Sequence, residues 1–251
     1  MKVLSEDTKF AHLGKPGTAF TKGFERRLDL LKTFVDFKDK KILDLGTGEG
    51  VWLSEFIKLS SPEKIYGSEY DPEQIEFVRS TNPTIPSENI VNCPGEKLTF
   101  PNEFFDIVFQ NEVLEHVQDD QQVLNECFRV LNSGGHLIFF TPNRGWPFEQ
   151  HGMFIGKKYY WGNIPLLSWM PESIYKKLAP HVKNYWAWEL DKMLKNSGFE
   201  IELHTYIFPG FDGAVRKLGL LGKLIQKTFF LLEKTPFKVF GISHVIVAKK
   251  Q

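Results

Sequence analysis

Ile42-Leu43-Asp44-Leu45-Gly46-Thr47-Gly48-Glu49-Gly50 decides how this chain is read. An apolar strand runs into a turn with glycine at every second position, and a helix is expected from near Val51. Such glycines let the backbone turn sharply and let a ligand lie against bare main chain. The first N–H groups of the following helix, with its positive dipole end, suit a carboxylate or a phosphate. Asp44, at the strand's end, puts a carboxylate where a ligand ammonium can sit. A dinucleotide fingerprint would be Gly-x-Gly-x-x-Gly. Here Val51 stands at the place of its third glycine.

Outward from that turn the chain alternates. Strands are expected at Lys41–Leu45, 64–69, 89–93, 105–110 and 136–141, and helices at 51–59, from 71, and at 119–131. Asp71-Pro72-Glu73 carries an N-cap aspartate with proline at the first helical position. This order predicts an α/β fold, a parallel sheet with helices on both faces. Glu69 ends the second strand, where a carboxylate can accept both hydroxyls of a ribose. A solvated strand end is the plainer alternative.

The run Asp44-x-Gly46-x-Gly48-x-Gly50 resembles motif I of the class I S-adenosylmethionine (AdoMet) methyltransferases, and the resemblance continues over about residues 40–142. It is similar to the broad type 11 group. It implies a Rossmann-like, mostly parallel seven-stranded sheet, AdoMet as cofactor, and a cofactor site of Asp44, Gly46, Thr47, Gly48, Gly50, Glu69, Tyr70, Gly95, Glu96 and Asn111. In that pattern Glu69 binds the ribose and Tyr70 flanks the adenine. The chain departs from the family at Pro94, which stands where an adenine-binding aspartate is usual. Gly95 still offers its amide there, and Glu96 is the nearest acid. Strands 199–208 and 242–248 are expected to complete the sheet, the last inserting beside the fifth. Four regions follow: an N-terminal lid helix in 1–40, the AdoMet-binding core 41–141, a cap insertion 142–184, and 185–251 with the rest of the sheet and a basic amphipathic helix. Phe10, His12, Phe20 and Arg26 are the lid's candidate lining.

Glu112-x-x-Glu115-His116 follows the fourth strand and is similar to a segment of quinone-biosynthesis O-methyltransferases. There the two acids and the histidine hold a divalent ion, so the resemblance implies a metal set of Glu112, Glu115 and His116 with an ion such as Mg. The other reading leaves His116 as a general base, or as a group that only ties its loop. His151, beside Glu149, is the second catalytic candidate, and His181 the third.

Residues 142–184 break the alternation with prolines, glycines and aromatics, including Trp146, Tyr159, Tyr160, Trp161, Trp169 and Tyr175. A long aromatic insertion after the fifth strand reads as an aromatic cap over a crevice, or as a second small core. From Gly213 to Phe240 there are six basic residues and one acid, Glu233. Leu218, Leu221, Ile225, Phe229 and Leu232 are expected on one helical face. This suits peripheral contact with a membrane surface through 214–240, and equally a packed helix with a solvated side.

Composition bounds the rest. At 251 residues and 42% hydrophobic content, the chain can fill one α/β core with an insertion. Its 31 basic and 31 acidic residues balance, so no global field draws in nucleic acid. Cys93 and Cys127 make no disulfide framework and fit a reducing compartment. No run of about 18 apolar residues occurs and no leader is visible, so the expected place is cytoplasmic, or at the membrane surface. The expected activity is methyl transfer to a small or lipid-linked molecule, at oxygen. The alternatives are a silent methyltransferase-like binding protein and a nicotinamide-dependent oxidoreductase.

Overall fold

The computed structural model describes residues 2–4 and 22–251. Phe10, His12 and Phe20 lie outside the described residues. Helix α1 spans Lys22–Lys32. The sheet strands in chain order are β1 (Ile42–Leu45), β2 (Ile65–Glu69), β3 (Ile90–Asn92), β4 (Phe105–Asn111), β5 (Leu131–Pro142), β6 (Phe199–Ile207) and β7 (Ser243–Lys250). Between them run α2 (Val51–Phe56), α3 (Pro72–Thr81), α4 (Asp120–Val130), α5 (Glu172–Leu178), α6 (Ala187–Asn196), α7 (Asp212–Leu218) and α8 (Leu220–Leu232). The sheet order is β6-β7-β5-β4-β1-β2-β3, and the pairs β1–β2, β1–β4, β2–β3 and β4–β5 are parallel. The last strand sits beside β5, as expected.

Contacts divide the chain into two compact units. The sheet unit comprises Glu25–Thr141, Ala187–His204 and Val245–Gln251. The aromatic unit comprises Pro142–Trp186, Thr205–His244 and the described residues before Glu25.

The sheet unit is held by apolar strands buried on both faces, as parallel strands require. All four residues of β1 are buried, and Ile107, Val108 and Phe109 of β4 are closed to solvent. Trp52 and Phe56 of α2 stack against one face, with ring centroids 4.5 and 5.2 Å from Phe109. Tyr66, Phe100, Phe104 and Phe105 form a second ring cluster. Burying each such side chain contributes roughly 1.5–3 kcal/mol. Asp71 caps α3 by accepting from Glu73 N at 2.9 Å, as the Asp-Pro-Glu signal predicts.

β5 starts five residues before the expected His136. Leu131 pairs with Phe105 and His136 with Ile107, so Asn132–Gly135 forms a bulge within the strand. Gly134 takes φ +77° there, a conformation that suits glycine.

In the aromatic unit, short strands Met153–Ile155 and Lys158–Trp161 pair, and Lys2–Leu4 adds antiparallel to the second. Leu167, Tyr175, Ala179 and Val182 pack into a small core with Met153, Ile164 and Leu178 against it. The second-core reading of this stretch is therefore present in the fold.

The amphipathic helix expected in 214–240 is two helices. Gly219, at φ +55°, breaks it between α7 and α8. Leu218 therefore loses its register with Leu221, and both are exposed. Ile225, Phe229 and Leu232 do turn partly inward.

Candidate active site

Three glycines shape the turn after β1. Gly46, Gly48 and Gly50 take φ +74°, +51° and +77°. A Cβ on Gly46 would come within 2.6 Å of Val113, so the turn packs directly against the loop after β4. A Cβ on Gly48 would meet nothing within 4 Å, which leaves that main chain open to a ligand.

Glu69 is fixed by three backbone amides. Its Oε2 accepts from Gly48 N at 2.9 Å, and Oε1 from Tyr70 N at 2.8 Å and Asp71 N at 3.1 Å. A carboxylate has about four acceptor sites, so capacity remains for a hydroxyl. Asp44 is the contrast. It is buried, and its Oδ2 has no partner among the described residues. Burial first, then the charge of Glu69, push its carboxyl well above the usual range. The buried Thr47 hydroxyl likewise has no hydrogen-bond partner among the described residues. Two carboxylates beside open main chain form a place that a cation would relieve. AdoMet, with an α-ammonium, a sulfonium and a ribose diol, fits this donor and acceptor set.

The remaining expected cofactor residues are placed unevenly. Tyr70 is 75% exposed. Gly95 packs toward Leu45 and Val123. The Glu96 carboxylate accepts from Gln118 N at 3.0 Å, which gives it a structural task. Asn111 Oδ1 accepts from Arg27 Nη1 at 2.6 Å.

The segment 112–117 is a turn, so Glu112 and Glu115 do not share a helical face. Glu112 takes φ +56°, uncommon outside glycine. Its Oε1 lies 3.1 Å from Arg27 Nη2, and Arg27 sits 4.7 Å over the Phe140 ring. Glu115 is buried, accepts from Thr141 Oγ1 at 3.1 Å, and leaves Oε1 without a hydrogen bond. Burial, the charge of Glu112 and a hydrogen bond with it push the Glu115 carboxyl well above its usual value. His116 Nε2 is 3.9 Å from Glu115 Oε1. Arg27 was not among the expected residues. The double arginine Arg26-Arg27 was visible, but which of the two meets the loop depends on helix phase.

In the aromatic unit, Glu149 is buried and accepts four hydrogen bonds. His151 N and Nδ1 donate to Oε1 at 2.8 and 2.9 Å. Tyr175 Oη and Asn184 Nδ2 donate to Oε2 at 2.7 and 2.8 Å. Burial alone would raise the Glu149 carboxyl, but the contacts with His151 and the Tyr175 hydroxyl hold it below its usual value. An ionised carboxylate on Nδ1 fixes the orientation of an imidazole. His181 Nε2 lies 3.0 Å from His151 O, and burial pushes its ring below its usual value.

Comparison with known proteins bears on the domain and the fold. A family described as "Methyltransferase domain" matches residues 43–139. A probable S-adenosylmethionine-dependent methyltransferase of Mycolicibacterium smegmatis is 26% identical over 171 residues, 68% of this chain and 56% of that protein. The ubiquinone biosynthesis O-methyltransferase of Salmonella arizonae is 26% identical over 152 residues, 55% of this chain and 62% of that protein. The chain thus spans less than two thirds of either relative. The crystal structure of an S-adenosylmethionine-dependent methyltransferase from Mesorhizobium loti shares the fold, with a TM-score of 0.61 at 18% identity over 89% of this chain and 96% of that one. Residues 43–139 thus match a methyltransferase domain, and the chain shares the fold of S-adenosylmethionine-dependent methyltransferases.

Proposed function

We propose that the chain transfers a methyl group from AdoMet to an oxygen of a small or lipid-linked molecule. The observation that carries this reading is the pair Asp44 and Glu69 beside the open main chain of Gly48. AdoMet supplies an electrophilic methyl on a sulfonium. Asp44, once ionised, would hold the α-ammonium, Glu69 would accept from a ribose hydroxyl, and Thr47 would offer its hydroxyl. Tyr70 flanks the adenine, with the Gly95 amide at its edge.

A hydroxyl nucleophile must lose its proton as the methyl arrives. His116, in the same unit as Asp44 and Glu69, and His151, oriented through Nδ1 by Glu149, are the two candidate bases. The name of the Salmonella relative favours oxygen over nitrogen or carbon.

The test is calorimetry with S-adenosylhomocysteine. Asp44→Ala and Glu69→Ala should each weaken binding by about 1–3 kcal/mol, the cost of a buried hydrogen bond. Unchanged affinity in both would remove the site assignment. Binding should also release a proton at acidic pH and tighten as pH rises, because the carboxyl of Asp44 must ionise to hold an ammonium.

A second reading places a divalent ion on Glu112, Glu115 and His116. Glu115 Oε1, which has no hydrogen bond among the described residues and lies 3.9 Å from His116 Nε2, favours it, but Glu112 does not come within 4.8 Å of both to complete the set. Against it, Arg27 already brings a positive charge to Glu112. Dialysis against a chelator should leave turnover intact on the first reading, and loss restored by Mg would establish the second.

A further inference from the structure

Helix α8 buries the wrong residues for an ordinary packed amphipathic helix. Its buried positions are Gly222 and Gln226. Gly222 sits against the main chain at Ala214 and Val215, where a Cβ would come within 2.3 Å of Ala214 O. Gln226 Nε2 donates to Gly210 O at 2.6 Å. The leucines face solvent instead: Leu220 is 83% exposed, Leu224 61% and Leu231 55%. At helical spacing these three form one strip, with Lys227 in line and Lys223 beside it. The turn after α8 adds exposed Phe237, Val239 and Phe240.

Charge says what covers this strip. Among residues 213–240 the only acid is Glu233, against six basic residues. Its Oε1 accepts from Phe208 N at 2.8 Å. Arg216, Lys217, Lys223, Lys227 and Lys234 are exposed. A cavity of about 460 Å³ beside the strip is lined by Arg216, Lys223, Asp212, Val215 and Gln226. A second copy meeting this face would set two basic rims against each other. An anionic bilayer answers both features. Leucines enter the acyl boundary, lysine stems lie along them, and the ammonium groups meet headgroup phosphates.

We infer that α7 and α8 seat the protein on an anionic lipid surface, with Leu220, Leu224 and Leu231 in the acyl boundary and an anionic headgroup between Arg216 and Lys223. The contact is peripheral. Among the described residues no helix is long and apolar enough to cross a membrane. This inference stands apart from the choice of methyl acceptor.

The experiment is co-sedimentation of the full chain with phosphatidylcholine vesicles, with and without phosphatidylglycerol. The chain should pellet with the anionic vesicles and be released by salt. Lys223→Ala and Lys227→Ala should each lower the partition about fivefold. Leu220→Glu with Leu224→Glu should abolish it. All four side chains are exposed, so circular dichroism melting should be unchanged in every variant. No binding to anionic vesicles would overturn the proposal, as would full binding by the double glutamate variant. Monomerisation of a self-associated chain by that variant would assign the strip to a second copy and overturn it too.

Discussion

Glu115, in the loop after β4, and Glu149, in the aromatic unit, are both about 1% exposed, yet their carboxyls move in opposite directions. Glu115 has one hydroxyl donor in Thr141 and another carboxyl as neighbour. Glu149 has four donors and an imidazole. Burial alone disfavours charge at both, and the partners decide. A buried acid with donors is a built anion that can hold a base in place. One beside another acid is a proton holder.

Removing the built anion should have the largest effect. Glu149→Ala strands Tyr175, Asn184 and His151, and should cost about 3–5 kcal/mol of stability in urea unfolding. Little change would mean the four bonds do not persist in solution. Glu115→Gln keeps the shape and removes a repelled carboxyl, so stability should change by less than about 1 kcal/mol or rise. A large loss there would show that Glu115 is ionised and held by a cation.

The pH dependence sharpens the contrast. The folded chain holds Glu149 below its unfolded value of about 4.3. Its contribution is therefore present above that value and lost as pH falls through the lower folded one. Glu115 works the other way. Its contribution is present below the unfolded value and lost as pH rises through the raised folded one. Melting temperature against pH should thus lose part of its acid slope in Glu149→Gln. In Glu115→Gln the decline on the alkaline side should shrink. The same slope in both variants would break the comparison.

Smallest is Arg27→Ala. Both partners of its ion pair are partly solvated, so the stability loss should be about 1 kcal/mol or less. Its sharper readout is Glu115. Without the guanidinium beside Glu112, a proton on the pair should bind more tightly, and a carboxyl infrared band should titrate at higher pH.

Much of the sheet unit was legible because its signals are local. Apolar runs, the Asp-Pro-Glu cap and the glycine turn each act within a few residues. Glu69 could be placed from the strand's end alone. What escaped depends on phase and on distant partners. The bulge at 132–135 looks like a connecting turn. Gly219 looks like one more helix residue until its φ is known. Short strands such as Met153–Ile155 have no periodicity to read. Arg27 over Arg26, and the Tyr175 and Asn184 bonds to Glu149, follow from tertiary contacts between residues far apart in sequence.

The tie between Gly48 N and Glu69 has a last consequence. The acid proposed for the sugar already holds the loop in shape. The entropy of ordering that loop is then spent during folding, ahead of any encounter. Recognition becomes docking into a finished mould, so variants that cut this tie should slow arrival of the nucleoside more than they hasten its escape.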